Sequence, residues 1–440
     1  MSLARSLYSL IMVLGQPLLR LKLARRGRQE AGYFEKVDER FGRYIQPAET
    51  SSELVWLHAV SLGETRTAAM LLKTLRAQRP GLRILLTNGT ATGRAEGRAL
   101  LLPGDVQVWQ PWDSPGAVAR FFDHFKPRLG LLMETEIWPN LVAQAKKRAL
   151  PLVLVNARLS DKSLQKALRI SALSLPAYGA VSAVFAQTED DAQRFRQLGA
   201  EVAGVFGNLK FDAAPDPLQF AQGKAWRREL AQPVLMFASS REGEEDEFLK
   251  QISAAAQAQR ARAASYSIAP ERPKAFKTLI VPRHPQRFDE VEALIQQHGL
   301  RVSRRSSWTG SPAESSNAMN ADVWLGDTLG EMALYYALAD AALLGGSFAP
   351  LGGQNLIEAA AYGCPVVMGP HTFNFAEPAA LAETAGAARR VADMGQAVWT
   401  ALGLVSDAPA RAEAAAAGLA FAARYQGATA RTVAALQAYF

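Results

Sequence analysis

From residue 54 onward, the sequence alternates a short run rich in leucine and β-branched residues, a turn, and an amphipathic stretch of ten to fifteen residues. This alternation predicts a parallel sheet whose strands are joined by crossover helices. The runs predicted as strands in the first half are 54–60, 83–88, 106–110, 128–133, 151–156, 182–187 and 202–207. The pattern restarts in the second half, where the predicted strands are 233–238, 278–282, 323–326, 341–346 and 365–369.

The segment DAAPDPLQF, which begins at Asp212, separates the two halves. It contains two prolines and two aspartates and has no periodicity, so it predicts a linker. We therefore expect an α/β protein with two doubly wound domains that face a central cleft. We predict a membrane-associating segment at 1–28, a first domain at 29–212 and a linker at 213–226. A second domain at 227–425 and a C-terminal helix at 426–440 follow.

Two stretches of the second half interrupt its pattern. Residues 258–277 and 303–320 are rich in Ser, Ala, Pro and charged side chains, and we predict surface loops there. The alanine-rich tail, residues 408–440, has helical spacing and high helix propensity, and it predicts helices.

The composition limits the classes of protein to consider. With 440 residues, 49% of them hydrophobic and 20% charged, the chain has enough apolar material for large buried cores. Its single cysteine, Cys364, excludes a disulfide framework, and its Cys and His are too few for a zinc cluster. The net charge of +8 favours anionic partners, namely phosphorylated ligands, nucleic acid or an acidic membrane surface. Because the aromatic residues are scattered rather than arranged for base stacking, nucleic acid is disfavoured.

A basic cluster follows an uncharged stretch near the N-terminus. The stretch SLYSLIMVLGQPLL lies between Arg5 and Arg20, and the basic residues that follow are Arg20, Lys22, Arg25, Arg26 and Arg28. A bilayer span needs about 20 apolar residues, so this stretch is too short, and Gly15, Gln16 and Pro17 interrupt it. Anionic lipid attracts each basic residue by about 1 kcal/mol. We expect an interfacial or obliquely inserted anchor; a helix that packs on the first domain is the alternative.

Acidic residues of the first half follow the carboxyl ends of predicted strands, where open α/β sheets bind ligands. Ser61 and Gly63 form a turn that brings Glu64 to the start of a helix. This carboxylate could act as a general base or simply complement the helix dipole. Glu134 and Glu136 directly follow the strand 128–133. Two carboxylates at one strand end repel each other, so we expect a raised pKa for one of them or a cationic partner. The alternative is that one carboxylate caps the next helix and the other is solvated.

Lys210, after the last strand of the first half, could neutralise a developing phosphate charge. Three strand-to-helix turns of the second half have the features of a nucleotide site. They are Pro282–Pro285, Gly326–Glu331, and Gly345–Ser347 followed by Gly352–Glu358. An arginine can contact phosphate with two donors, and the amides at helix starts attract anions. Glu358 could bind ribose hydroxyls. No turn matches the dinucleotide-binding or Walker pattern, so oxidoreductases and P-loop enzymes are disfavoured.

Eight short motifs occur in order between residues 58 and 374: HAVSLGE (58–64), ETEIWPN (134–140), NARLS (156–160), GNLKFD (207–212), PRHP (282–285), GDTLGE (326–331), GGQN (352–355) and GPHTFN (369–374). Together they resemble the Kdo transferases of lipopolysaccharide assembly, which move 3-deoxy-D-manno-octulosonic acid (Kdo) from CMP-Kdo to a lipid A precursor. The resemblance extends from the N-terminal segment to about residue 378. It implies a GT-B fold of two Rossmann-like domains, the first binding the acceptor and the second the sugar nucleotide.

The resemblance also implies roles for individual residues. Glu64 matches the family's proton acceptor, and Glu134 and Lys210 match positions assigned to transition-state stabilisation. The matches to the CMP-binding loops are Pro282, Arg283, Leu329, Gly330, Glu331, Asn355, Leu356, Ile357 and Glu358. The sequence has Gln354, Leu356 and Arg241 where the family usually has His, Pro and His.

The expected activity is therefore the transfer of Kdo from CMP-Kdo to lipid IVA, with inversion at the anomeric carbon and Glu64 as the general base. The resemblance implies no metal and no cofactor, and it places the enzyme on anionic lipid at the cytoplasmic face of the inner membrane. The alternatives are a GT-B transferase or epimerase that uses a UDP-sugar, and a non-catalytic membrane scaffold of the same fold.

Overall fold

The computed structural model describes residues 2–48, 53–212, 216–265 and 276–440. Its chain divides into two compact units. Unit 1 consists of Met1–Asp212 and Tyr425–Phe440, and unit 2 consists of Ala213–Arg424. Each unit contains one seven-stranded sheet.

The sheet of unit 1 is entirely parallel and has the strand order β3-β2-β1-β4-β5-β6-β7. Its strands are β1 Leu54–His58, β2 Arg83–Asn88, β3 Val106–Trp109, β4 Leu129–Met133, β5 Leu152–Ala157, β6 Ala183–Ala186 and β7 Val202–Val205. The helices that precede and connect them are α1 Leu3–Leu14, α2 Gln16–Gly27, α3 Leu62–Gln78, α4 Ala91–Arg98, α5 Pro115–Phe125, α6 Pro139–Lys147, α7 Asp161–Arg169, α8 Ser171–Tyr178 and α9 Glu189–Gln197.

The central strands β1 and β4 are buried along their whole length because helices cover both faces of the sheet. Alternate residues of β1 therefore enter two different cores. Leu54 and Trp56 belong to the cluster on one face, and Val55 and Leu57 belong to the cluster on the other. This two-sided burial explains why the strands are nearly continuous apolar runs in the sequence.

Helices α1 and α2 pack on unit 1 while exposing an apolar face. The Tyr8 hydroxyl donates to Asp113 Oδ2 at 2.9 Å, and the buried Ser9 hydroxyl donates to Asn140 Oδ1 at 2.8 Å. The packing proposed as the alternative to an anchor is thus present. Among the described helices none is by itself long and apolar enough to cross a membrane, but α1 and α2 together, bent by 52° at their junction, have that length and composition.

The sheet of unit 2 is also parallel, with the order β10-β11-β9-β8-β12-β13-β14. Its strands are β8 Val234–Ser240, β9 Lys277–Pro282, β10 Val302–Arg304, β11 Val323–Leu325, β12 Ala341–Leu344, β13 Val366–Met368 and β14 Ala388–Arg390. Its helices are α10 Pro217–Glu229, α11 Glu244–Ser265, α12 Phe288–Gln297, α13 Ser316–Asn320, α14 Met332–Leu338, α15 Leu356–Ala361, α16 Ala376–Thr384, α17 Met394–Ser406 and α18 Ala408–Tyr425.

All twelve strands predicted from the sequence are present, and the short strands β10 and β14 were missed. The loop predicted at 303–320 is confined to residues 305–315, which contain turns and a 3₁₀ turn, and the prediction of a surface loop over the rest was wrong. This stretch contains the end of β10 and the whole of α13, and Trp308 is buried against Trp324 with ring centroids 5.3 Å apart. The loop predicted at 258–277 was wrong up to Ser265, where α11 ends, and residues 266–275 lie outside the described residues.

The range 213–226, which the prolines indicated as a linker, contains most of α10. Asp216 caps this helix by accepting hydrogen bonds from the amides of Leu218 and Gln219, and Pro217 occupies its first position. A proline fits there because its missing N–H would have no helical partner. Residues 213–215 lie outside the described residues.

The predicted helical tail is present as α18 and α19, the latter Ala428–Leu436. Helix α19 returns to unit 1, where Ala428, Val433 and Leu436 join the core cluster that contains Val55 and Leu57. The last residues of the chain therefore complete the core of the first unit.

Candidate active site

In unit 1, strands β1 and β4 are neighbours, and they flank the point where the strand order reverses. From β1 the chain continues to β2 and β3 on one side, whereas β4 begins the other side. Ligands of open α/β sheets bind in the crevice at such a point, outside the carboxyl ends of the strands. Glu64 follows β1 and Glu134 follows β4, so the topology brings the two predicted residues to this crevice.

Glu64 lies in the first turn of α3 and turns back toward the end of β1. Its Oε2 accepts a hydrogen bond from the Val60 amide at 2.8 Å, and its Oε1 accepts one from the Ser61 hydroxyl at 2.8 Å. Burial raises the pKa of Glu64 to about 7; the two hydrogen bonds oppose this shift, and the charges of Glu134 and Glu136 add to it. A carboxylate with a pKa near the working pH suits a general base.

Glu134 takes a left-handed backbone conformation, with φ of 58°, directly after β4. This conformation costs a non-glycine residue roughly 1–2 kcal/mol. The Glu134 amide donates to the Val155 carbonyl at 3.0 Å, which holds the turn in place. The Glu134 carboxylate lies 3.5 Å from the Lys210 ammonium, so the structure joins these two predicted residues as an ion pair.

Hydrogen bonds hold the segment that carries Lys210. Lys210 belongs to a 3₁₀ helix, Leu209–Asp212, whose first amide donates to Asn156 Oδ1 at 3.0 Å. At its other end, Asp212 accepts a hydrogen bond from the Gly427 amide at 2.5 Å and another from the Thr429 amide at the start of α19. The lysine is therefore positioned by the end of β5 and by the last helix of the chain.

Glu136 is a further carboxylate of this site, to which the sequence assigned no role. Burial and the charge of Glu134 raise its pKa, and a hydrogen bond of 2.9 Å from Trp138 Nε1 opposes the shift. Its charge in turn raises the pKa of Glu64. In the sequence, the feature that pointed to Glu136 was its position beside Glu134 after the same predicted strand.

In unit 2, the strand order reverses between β8 and β12. Gly345 follows β12, and a Cβ atom there would lie only 2.2 Å from the Ser239 carbonyl oxygen, so only glycine allows the two strand ends to approach. Glu244, in the first turn of α11, accepts hydrogen bonds from the amides of Gly346, Phe348 and Ala349 at 2.8, 3.1 and 3.1 Å. Sequence reasoning missed Glu244, which fixes the glycine-rich loop.

The predicted CMP-binding residues occupy turns of unit 2 near this edge. Pro282 ends β9, and the Arg283 amide donates to the Ser240 carbonyl at 3.0 Å, which ties this turn to the end of β8. Leu329 is 76% exposed, and Gly330 has a φ of 81°. Glu331 accepts a hydrogen bond of 2.9 Å from Arg305 Nη2.

Asn355 caps α15 by accepting a hydrogen bond from the Ile357 amide at 3.2 Å. Glu358 lies in the first turn of the same helix. Leu356 and Ile357 are fully buried, so their side chains fill the core, and only their backbone groups are suited to contact a ligand. Within the described residues, no group of three or more His, Cys, Asp or Glu side chains is placed to hold a metal ion.

Comparison with known proteins identifies relatives over almost the whole chain. Residues 35–213 match the family model described as "3-Deoxy-D-manno-octulosonic-acid transferase (kdotransferase)". A 3-deoxy-D-manno-octulosonic acid transferase of Bordetella pertussis is 45% identical over 98% of this chain and 99% of its own length. One of Haemophilus influenzae is 32% identical over 85% of this chain and 84% of its own length.

Solved structures with the same fold include HepE from Anabaena in complex with UDP, with a TM-score of 0.54 and 15% identity over 88% of this chain and all of that chain. UDP-GlcNAc 2-epimerase from Neisseria meningitidis has a TM-score of 0.53 and 14% identity over 86% of this chain and all of that chain. At these identities the likeness shows the fold alone. It confirms the predicted GT-B class with two Rossmann-like sheets. The two close relatives show more than the fold: this chain belongs to the 3-deoxy-D-manno-octulosonic acid transferase family and is a glycosyltransferase.

Proposed function

We propose that the protein transfers Kdo from CMP-Kdo to the lipid A precursor lipid IVA, with inversion at the anomeric carbon and without a metal ion. Membership of the family supports the transfer of Kdo. The main support for the mechanism is the environment of Glu64. This carboxylate is partly buried, its pKa is raised to about 7, and it lies at the point where the strand order of unit 1 reverses.

Glu64 acts as the general base in this proposal. It takes the proton from the acceptor hydroxyl as the hydroxyl oxygen forms a bond to the anomeric carbon of Kdo. The bond between this carbon and the phosphate oxygen breaks on the opposite face, and its electron pair leaves with CMP. Near pH 7, a base with a pKa of about 7 is about half ionised and is basic enough to accept the proton.

Lys210 and Glu134 stabilise the transition state in this proposal. Their ion pair holds an ammonium group at the same sheet edge as Glu64, where it can balance negative charge that develops during transfer. The segment around Lys210 is tied at both ends, so little reorganisation is needed when the charge appears.

Unit 2 binds the CMP moiety in this proposal, through the turns at 282–283, 329–331 and 355–358. Arg283 contacts the phosphate, backbone amides contact the cytosine edge and phosphate, and Glu358 contacts the ribose hydroxyls. The glycine-rich loop that Glu244 holds allows the backbone to approach the nucleotide closely.

The apolar face of α1 and α2 places the enzyme on the anionic cytoplasmic surface of the inner membrane in this proposal. Its exposed side chains are Leu3, Leu7, Leu10, Ile11, Leu14, Leu18 and Leu21. The basic residues that follow in α2 add attraction to anionic lipid. An apolar helix face with basic neighbours is typical of interfacial attachment.

The decisive experiment incubates the purified protein with CMP-Kdo and lipid IVA and weighs the lipid products by mass spectrometry. We expect a mass increase of one or more Kdo residues, inverted anomeric configuration by NMR, and the same rate after treatment with EDTA. UDP-sugars in place of CMP-Kdo serve as the control donors. Transfer from a UDP-sugar only, retention of configuration, or a loss of rate that Mg²⁺ restores would contradict the corresponding part of the proposal.

A further inference from the structure

Unit 1 contains a cavity of about 240 Å³ between α2 and the carboxyl ends of β1 and β3. Its lining is largely apolar and includes three cationic residues, Lys22, Arg26 and Arg40, and the aromatic rings of Tyr33, Trp112 and Trp138. Val60 and Glu136 also line it, and the Val60 amide is the group that donates to Glu64. The cavity therefore adjoins the proposed general base.

Three buried polar atoms in the lining residues have no hydrogen-bond partner in the described part of the chain. They are the donors Arg40 Nε and Trp112 Nε1, and the acceptor Gln110 Oε1. Gln110 is only 9% exposed. An unsatisfied buried polar group costs about 1–3 kcal/mol. These three atoms belong to residues around one cavity, so the protein does not itself satisfy all the polar groups in the wall of this cavity.

The charges of the lining favour an anion. No carboxylate of the described chain lies within ion-pair distance of Lys22, Arg26 or Arg40. Burial is the main cause that lowers the pKa of Arg40, to about 10, and the charge of Arg26 contributes to this. A bound anion would relieve the repulsion between these cations.

The two carboxylates of the lining are already engaged by donors of the protein. Asp113 accepts hydrogen bonds from the Tyr8 hydroxyl and from the amides of Asn140 and Leu141, at 2.9, 3.0 and 2.8 Å. Glu136 accepts its hydrogen bond from Trp138 Nε1. The two carboxylates are therefore bound by groups other than the cations of the lining, and of the Arg40 donors Nη2 is bonded to the Gly89 carbonyl at 3.1 Å.

We propose that this cavity binds a phosphorylated sugar of the acceptor lipid. Arg40, Trp112 and the cations of α2 bind the phosphate, Gln110 accepts a hydrogen bond from a sugar hydroxyl, and the aromatic rings pack on the sugar. Lipid A precursors carry phosphate on a glucosamine disaccharide, which fits this set of groups. This inference rests on the proposed function, because it assigns the cavity to the acceptor of that reaction.

A binding experiment with the full chain tests the cavity directly. Calorimetry compares three soluble probes: the deacylated disaccharide bisphosphate, the same disaccharide without phosphate, and glycerol 3-phosphate. We expect the bisphosphate to bind at least tenfold more tightly than either of the others. Equal affinity for the two disaccharides would overturn the phosphate assignment, and equal affinity for glycerol 3-phosphate would overturn the sugar assignment.

Two matched variants of α2 localise the binding. Arg26→Gln removes a charge from the cavity, whereas Arg25→Gln removes the same charge from the same helix outside the cavity. We expect Arg26→Gln to weaken bisphosphate binding at least fivefold more than Arg25→Gln does. Trp112→Phe, which removes the indole N–H donor and keeps a smaller aromatic ring, should weaken binding at least threefold with little change in Tm. Equal losses in Arg26→Gln and Arg25→Gln would overturn the proposal.

Steady-state kinetics separate this inference from the proposed function. With phosphorylated and dephosphorylated lipid acceptors, Arg26→Gln should raise KM for the phosphorylated acceptor at least fivefold and leave KM for CMP-Kdo unchanged. If the wild type binds the bisphosphate but transfers no Kdo, the proposed function fails and the cavity assignment stands. If it transfers Kdo with the same KM to both acceptors, the cavity assignment fails and the function stands.

Discussion

Glu64 combines a buried position with two hydrogen bonds that favour its ionised form. Its pKa of about 7 is the balance of these opposing effects, with burial the larger. Because Ser61 and Val60 hold both carboxylate oxygens, the side chain has a defined direction before substrate binds. Position and pKa together make Glu64 the strongest candidate for the base.

Replacing Glu64 by glutamine should abolish transfer while leaving CMP affinity within a few fold. The amide keeps the shape of the side chain but cannot accept the proton of the acceptor hydroxyl. We expect kcat to fall by about 10²–10⁴, the usual contribution of general base catalysis. The measurements are turnover with CMP-Kdo and lipid IVA, and calorimetry with CMP. A variant that keeps most of its turnover would exclude Glu64 as the base.

The rate should rise with pH through about 7, as Glu64 loses its proton. Glu136→Gln removes a negative charge that raises the pKa of Glu64, so the acidic limb of the kcat/KM profile should move to lower pH. Glu201→Gln, at an exposed carboxylate in the same unit, is the matched control and should leave the limb in place. If both variants keep the wild-type profile, Glu136 does not act on the base.

The raised pKa of Glu64 also affects stability. Because the native state holds this proton more tightly than the unfolded state, the stability due to Glu64 declines as pH rises from about 4.5 to about 7. Glu64→Gln should therefore raise Tm relative to wild type at pH 8 more than at pH 5. Thermal unfolding at both pH values measures this. A Tm difference that does not depend on pH would contradict the assignment of the raised pKa.

Helices α1 and α2 show the packing on unit 1 that the sequence presented as the alternative to an anchor, and membrane attachment is our proposal for their exposed face. Tyr8 and Ser9 of α1 donate hydrogen bonds to the rest of unit 1, and both helices leave leucines exposed. Deleting residues 1–28 would consequently remove one wall of the cavity as well as the proposed anchor. Substitution of exposed leucines is the cleaner test of membrane attachment.

The double variant Leu7→Gln, Leu14→Gln should lose binding to acidic vesicles, because it removes side chains that are 58% and 69% exposed on this face. Turnover on detergent-dispersed acceptor should stay within about twofold. The control Leu218→Gln changes a leucine that is 81% exposed on α10. Flotation with vesicles at low and high salt measures the effect. Equal flotation of both variants and the wild type would contradict an anchor at this face.

The two units differ in whether they consist of one continuous segment of the chain. Unit 2 is one continuous segment, whereas unit 1 needs the last residues of the chain, which supply α19 to its core. Each unit has its own sheet and its own hydrophobic clusters, so each contains the apolar contacts that a folding domain requires.

Residues 213–424 expressed alone should fold cooperatively and bind CMP. Removal of residues 425–440 from the full chain should instead destabilise unit 1, because it uncovers the core around Val55 and Leu57. Thermal unfolding and calorimetry with CMP measure both outcomes. An isolated segment that stays unfolded, or a truncated chain with unchanged Tm, would show that the units do not divide in this way.

Local patterns in the sequence were sufficient to locate the main strands and to predict the fold class. A buried parallel strand is a continuous apolar run, and the turn and amphipathic helix that follow are also local features. The rule that ligands bind at the carboxyl ends of strands then led to Glu64 and Glu134. The strands β10 and β14, with the sequences VSR and ARR, were missed because they lie at the two edges of the sheet and contain polar and charged residues instead of an apolar run. The strands β11 and β13 are equally short but entirely apolar, and they were predicted.

Only the tertiary structure decided which of these residues act on one another. The pairing of β1 with β4, the ion pair of Glu134 with Lys210 and the return of α19 join residues far apart in the chain. The pKa of Glu64 depends mainly on burial, which no local pattern reports. The cavity beside it is likewise formed by segments distant in sequence. Periodicity reflects the conformation of one segment, whereas burial, charge coupling and cavities arise from the packing of several.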